Sequence, residues 1–139
     1  MAAKGTKTQV HALIFDTDIL IWRLRMHPGA VKLVEQTSPA DRNLSSVSYL
    51  ELLYGCRDMN DLRRLQKSVA GYFAQILPIT ERISESAVRL MEKYSLSHRP
   101  DTNDVLLAAT ALNMQETLVT GNRKHFDFIP GLDLKIFRP

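Results

Sequence analysis

"HALIFDTDIL", residues 11–20, is the stretch whose reading decides the fold. Ala12 to Phe15 is an unbroken apolar run of the kind that forms a buried strand, and no turn residue separates Phe15 from Asp16. Two acids, Asp16 and Asp18, therefore arrive where the apolar run gives out. Beyond them Ile19, Leu20, Trp22 and Met26 recur at helical spacing. A strand over 9–15 feeding directly into a helix over 17–26 is the opening unit of a parallel α/β sheet. In such sheets ligands bind beyond the carboxyl ends of the strands, where Asp16 falls. Either acid also suits the N-cap of the helix, so a capping role and a chemical role both stay open.

Working outward, the same alternation repeats. His27-Pro28-Gly29 breaks the pattern, a helix is expected over 30–36, and TSPADRN (37–43) reads as a loop. NLSSVSYLELLYG (43–55) passes from a short strand into a helix near Ser46–Ser48 that ends around Gly55–Cys56. Helices follow over 59–73, with Leu62, Leu65, Val69 and Phe73 as its stripe, and over 81–96, with a short strand at 75–79 between them. Past Pro100 come an almost wholly apolar helix (104–114), a strand (116–119), a helical turn (123–128) and a last strand (134–137). Short apolar strands alternating with helices indicate a three-layer α/β/α sandwich around a mainly parallel sheet. We expect one domain over 9–139, preceded by a polar, basic leader at 1–8.

The bulk numbers fit this. With 139 residues the chain is long enough to bury a core, and 45% hydrophobic with 24% charged residues is ordinary for a globular protein. Its apolar runs fall far short of the roughly 20 residues a bilayer crossing needs. The opening residues lack the apolar region of a signal peptide, so a cytoplasmic location is expected. A single cysteine, Cys56, excludes an intrachain disulfide, and in its apolar helical setting it reads as packing. A net charge of +3 permits a polyanionic partner without requiring one.

The other acids raise the question posed by Asp16. Ser48-Tyr49-Leu50-Glu51 matches a capping box, yet Glu51 is flanked by Leu50, Leu52 and Leu53, where an acid is costly unless something positive offsets it. In RPDTNDVLLAATAL, Asp101 suits an N-cap and Asp104 the first turn, and their spacing sets both on one helical face. Each acid alone has an ordinary explanation. Together, three helix starts carry acids, and in a parallel sheet those starts share one edge. Carboxylates gathered there would raise one another's pKa unless a divalent cation relieved them. Oxygen donors without cysteine select a hard ion, Mg²⁺ or Mn²⁺.

The strand followed by DTD-IL-W (16–22), SSVSYLELLYG (45–55), PDTNDVLLAATAL (100–112) and LVTGNRKHF (118–126) followed by IPGL (129–132), in that order, resembles the PIN-domain family, specifically the VapC-type toxin ribonucleases of toxin–antitoxin pairs. The likeness runs from about Ala12 to Phe137. It implies a Mg²⁺- or Mn²⁺-dependent endoribonuclease on an α/β/α sandwich, a homodimer held inactive by a cognate VapB-type antitoxin. By position, Asp16, Glu51 and Asp104 match the first three family acids. The fourth position falls in TGNRKHFD, where Asn122 stands, with Asp101 and then Asp127 as compensating acids. Thr120 matches a family hydroxyl near the site, and Asp18 is expected to cap or to support a ligand.

The expected chemistry is attack of water on an RNA phosphodiester, activated by an ion held by Asp16 and Asp104, with Glu51 orienting or deprotonating the water. His125 is expected to pack or to contact phosphate. Arg99, Arg123 and Lys124 flank the site and are candidate RNA contacts, while Arg57, Arg63, Arg64 and Lys67 form a further cationic stretch that reads first as a solvated face. Single-stranded or looped RNA suits such a site better than a regular duplex. Two alternatives remain: a non-catalytic RNA-binding scaffold of the same fold, suggested by Asn122, and a haloacid-dehalogenase-like phosphatase using Asp16 and Asp18, against which stand Leu20 and the absence of a late acidic pair.

Overall fold

A computed structural model describes residues 12–139. The expected leader (1–8) and the first residues of the expected opening strand (9–11) lie outside the described residues. Strand β1 covers Leu13–Phe15 and helix α1 Thr17–Leu24, followed by α2 (Pro28–Gln36), β2 (Arg42–Ser45), α3 (Ser46–Tyr54) and α4 (Met59–Tyr72). Then come β3 (Gln75–Leu77), α5 (Glu81–Tyr94), α6 (Thr102–Met114), β4 (Thr117–Thr120), a 3₁₀ turn (Arg123–His125) and β5 (Leu134–Ile136). Every pairing is parallel, in the order β3-β2-β1-β4-β5.

Alternation along β1 sorts the helices into layers, because successive side chains leave opposite faces of a strand. Phe15 packs with Ile19, Leu33, Leu52, Leu65 and Val69, so α1 to α4 cover one face. Ile14 packs with Leu107, Ala108, Ala111 and Phe126, so α6 and the segment after β4 cover the other. Helix α5 lies on the outer side of α6, with Ile83 and Ala87 against Val105 and Ala109. Helix α6 is thus enclosed between the sheet and α5, which explains why its sequence is apolar nearly all round. The chain steps outward from β1 through β2 to β3, then returns to lay β4 on the free side of β1. This makes β1/β4 the switch point, with a crevice beyond their carboxyl ends.

Three local expectations change. Helix α2 starts at Pro28, because His27 caps it with Nδ1 accepting from the N–H groups of Gly29 (3.1 Å) and Ala30 (3.4 Å), so the proline is a helix start rather than a break. The expected loop 37–43 contributes Arg42 and Asn43 to β2, both buried. Arg42 Nε donates to the Thr37 carbonyl (2.9 Å) and Asn43 Nδ2 to Glu116 Oε1 (2.8 Å), while the buried Asn43 Oδ1 has no partner. Finally, Ser45 rather than Ser48 caps α3, accepting from the N–H of Val47 (3.1 Å). The capping-box reading of Ser48 and Glu51 fails, since Glu51 lies well inside the helix and the buried Ser48 hydroxyl has no partner. In the stripe on α4, Leu65 and Val69 are core.

Candidate active site

Asp16 is the first residue past β1. Its N–H still donates to the Val119 carbonyl (2.8 Å), which holds the residue to the sheet, while its carboxylate caps α1 through the N–H of Thr17 (2.7 Å). Across the switch point, Thr120 at the end of β4 donates its hydroxyl to Asp16 Oδ2 (2.8 Å), and both side chains are buried. The two readings of this acid are therefore compatible: it caps a helix and also presents a carboxylate at the crevice. Burial, reinforced by the charge of Asp18 and further by Asp104, pushes its pKa to about 7 against the opposing bonds from Thr120 and Thr17.

Asp18 stands beside it. Its Oδ1 accepts from the N–H of Ile19 (2.8 Å) and its Oδ2 from Asn122 Nδ2 (3.2 Å), and burial raises its pKa. Gly121 makes this approach possible, because a Cβ there would stand 2.9 Å from Asp18 Oδ2. The N–H of Asn122 donates to the Thr120 hydroxyl (3.1 Å), so Asn122, Asp18, Thr120 and Asp16 form one network.

Glu51 reaches the same rim from α3. Exposed to solvent, it is held at both oxygens, by the Thr17 hydroxyl of α1 (2.6 Å) and by Asn103 Nδ2 of α6 (3.1 Å). Asp101 caps α6 through the N–H of Asn103 (3.1 Å). One turn on, Asp104 Oδ2 accepts from His125 Nδ1 at 3.0 Å. Burial raises the Asp104 pKa first; the neighbouring His125 opposes this, and Asp101 and Glu51 reinforce it. The expected pKa rise thus occurs, but its first cause is desolvation rather than mutual repulsion.

The structure brings Asp16, Glu51, Asp104, Asp101, Thr120 and Asn122 to one edge. Among the described residues, no hydrogen bond of this network reaches Asp127. Arg99, Arg123 and Lys124 are exposed and flank its residues in sequence, with Arg99 at φ 47° just before α6. Arg57 and Arg64 instead converge on Asp61, at 3.2 and 2.7 Å. Sequence reasoning missed Thr17 and Asn103 as the clamp on Glu51, Gly121 as the space for Asp18, and His125 as the partner of Asp104. The only signal was adjacency, since Thr17 and Asn103 each neighbour a singled-out acid.

The donor set fits a hard cation. Carboxylates with raised pKa, Asp16 buried and Asp18 and Asp104 half-buried, face one rim with a single imidazole among them. The expected gathering of three or more acids on one ion is not seen: among the described residues no three acidic, histidine or cysteine side chains stand close enough together to hold a metal ion. An ion held here would therefore take one or two of these carboxylates and keep water as its other ligands. A cavity of about 530 Å³ opens beside Glu51, lined by Leu24, Arg25, Leu52, Cys56 and Leu65 among others.

Comparison with known proteins agrees with this geometry. The PIN domain family matches residues 13–131. The Mycobacterium tuberculosis protein named Ribonuclease VapC19 is 32% identical over 124 residues, covering 86% of this chain and 95% of that protein. A toxin–antitoxin complex from Klebsiella pneumoniae superposes with a TM-score of 0.73 at 26% identity, over 87% of this chain and 95% of that one. VapBC2 from Rickettsia felis, bound to a DNA fragment from its promoter, shares the fold with a TM-score of 0.76 at 21% identity, over 91% and 99% of the two chains.

Proposed function

The chain belongs to the PIN-domain family, and from that premise we propose that it is a divalent-metal-dependent endoribonuclease acting as the toxin of a toxin–antitoxin pair. The observation that carries this reading is the set of carboxylates from the starts of α1 and α6 and from α3, oriented toward one crevice by Thr17, Thr120, Asn103 and His125. Asp16 and Asp104 would hold Mg²⁺ or Mn²⁺, with Asp18 supporting Asp16 and Asn122 supplying an amide in the fourth position. An ion held there would supply a water of lowered pKa and a charge to offset that gathering on the scissile phosphate. Glu51, fixed at both oxygens, orients that water and takes its proton. The water oxygen would bond to phosphorus as the bond to the 3′ oxygen breaks, and the 3′ oxygen would take a proton from solvent, leaving a 5′-phosphate and a 3′-hydroxyl. His125 keeps the Asp104 carboxylate turned toward the crevice, and Arg99, Arg123 and Lys124 meet the RNA backbone.

The partner is a VapB-type antitoxin whose helix lies in the cavity beside Glu51, the toxin being a cytoplasmic homodimer. Among the described residues no helix is long and apolar enough to cross a membrane. Family membership leaves the phosphatase alternative without support. The test is to incubate purified protein with RNA and Mg²⁺ and sequence the 5′ ends. Phosphorylated 5′ ends that vanish with EDTA or in Asp16→Asn are expected. Ends with 2′,3′-cyclic phosphate, or equal cutting by Asp16→Asn, would overturn the mechanism, and no cutting by wild type in the absence of antitoxin would favour the non-catalytic scaffold.

A further inference from the structure

Outside the acidic rim, one cluster is ordered beyond what packing requires. Exposed His98 lies on half-buried Phe128 as a parallel stack, with ring centroids 4.2 Å apart and planes inclined by 16°. Tyr94 meets both rings edge-on, at 5.6 Å from His98 and 5.0 Å from Phe128. The Ser97 hydroxyl lies 2.8 Å from His98 Nδ1, fixing the rotation of the imidazole in its plane. An exposed histidine normally keeps its rotamer freedom, and losing it costs free energy that must be recovered elsewhere. Here one face is covered by Phe128, one edge is met by Tyr94 and one nitrogen is tied, while the opposite face is left to solvent.

The place of the cluster in the chain ties it to the candidate site. His98 precedes Asp101 by three residues and Phe128 follows His125 by three, so each ring is tethered within about 11 Å of chain to a segment of the rim. Those two segments meet at the Asp104–His125 contact of 3.0 Å. One cation borders the rings, Lys93 Nζ at 5.4 Å from the Tyr94 ring centre, and Arg99, the residue after His98, is exposed, as is Lys124, the residue before His125. A flat π-face flanked by cations beside an acidic centre matches how single-stranded nucleic acid is held, its bases on aromatic rings and its phosphates on Lys and Arg.

We propose that the open face of His98, backed by Phe128 and Tyr94, is a nucleobase-stacking subsite for the RNA strand that enters the crevice. The assignment of the strand to catalysis rests on the ribonuclease reading above, while the stacking itself does not. Stacking on a π-face tolerates any base, so the subsite sets affinity and the register of the strand rather than base identity. His98 is in this sense a binding residue and not a catalytic one.

The test uses the full chain with a fluorescent single-stranded RNA, measuring affinity by anisotropy in EDTA and cleavage kinetics with Mg²⁺. His98→Ala should weaken metal-free RNA binding by about tenfold. In cleavage the loss should fall on KM rather than kcat. His98→Tyr, which keeps a ring, should restore both. An abasic nucleotide scanned along the RNA should cost wild type a similar factor at one position and cost His98→Ala nothing more there. Equal RNA affinity in wild type and His98→Ala overturns the subsite, as does the absence of any abasic position coupled to His98. So does a loss confined to self-association or to antitoxin binding, which would mark the rings as a protein contact. If wild type cuts no RNA, the ribonuclease reading falls, and the EDTA affinities still decide the subsite.

Discussion

Asp16 concentrates the chemistry at the scale of a single residue. With a pKa near 3.8 in an unfolded chain and about 7 in the fold, it holds its proton in the native state over a window where the unfolded chain has lost it. Stability of the metal-free protein should therefore fall as pH rises from about 4 to 7, then stay low, by about 4 kcal/mol in full. Asp16→Asn removes that cost: at pH 8 in EDTA the variant should melt several degrees above wild type, and at pH 4 the two should coincide. Calorimetry at both values decides it, and a lower melting temperature for the variant at pH 8 would show that Asp16 is stabilised as an anion. Thr120 tunes the same group, since its hydroxyl bond favours the carboxylate. Thr120→Val should move the alkaline-rising midpoint of Mg²⁺-dependent cleavage to higher pH, and an unchanged pH–rate profile would remove Thr120 from the site.

Helix α3 shows at the scale of elements how a serine-rich junction divides its labour. Ser45 caps the helix through the N–H of Val47, and Ser48, one turn on, has a buried hydroxyl without a partner. Removing a cap costs about 1 kcal/mol, whereas removing an unpaired buried hydroxyl relieves a desolvation cost. Ser45→Ala should thus lower the urea midpoint, and Ser48→Ala should leave it unchanged or raise it. The reverse order would restore the capping box at Ser48. The same junction shows what was legible beforehand. Helix starts were visible because acids and serines end apolar runs, and α6 because its apolar run has no charged face. Strand β2 was half hidden, since Arg42 and Asn43 look like loop until Thr37 nearby and Tyr72 and Glu116, distant in sequence, supply their partners. The acids of the site could be listed from sequence, but the Thr17–Glu51–Asn103 clamp could not, because it exists only where α1, α3 and α6 meet.

Charge is divided unevenly over the whole molecule. Five of its 15 acids, Asp16, Asp18, Glu51, Asp101 and Asp104, stand at the crevice, flanked in sequence by Arg99, Arg123 and Lys124, so the other 15 Lys and Arg are set against only 10 acids elsewhere in the chain, a balance of +5. Strand β1 delivers Asp16 and Asp18 to that edge, while Glu51 reaches it from α3 and Asp101 and Asp104 from the start of α6. RNA is then drawn to most of the surface and repelled by the rim at which it must be cut. A divalent cation at the rim reverses the sign where the phosphate must approach, so metal and RNA should each strengthen the other's binding. With a cleavage-resistant RNA, Mg²⁺ should tighten wild-type affinity by about fivefold, the factor for a change near 1 kcal/mol between partly screened charges. In EDTA, Asp104→Asn should bind RNA more tightly than wild type, and Mg²⁺ should add less to it. Both effects should shrink as salt rises, because screening removes long-range repulsion first. Identical wild-type affinities with EDTA and with Mg²⁺ at low salt would mean that the strand never passes close to these acids, and the crevice would lose its claim to be where RNA is cut.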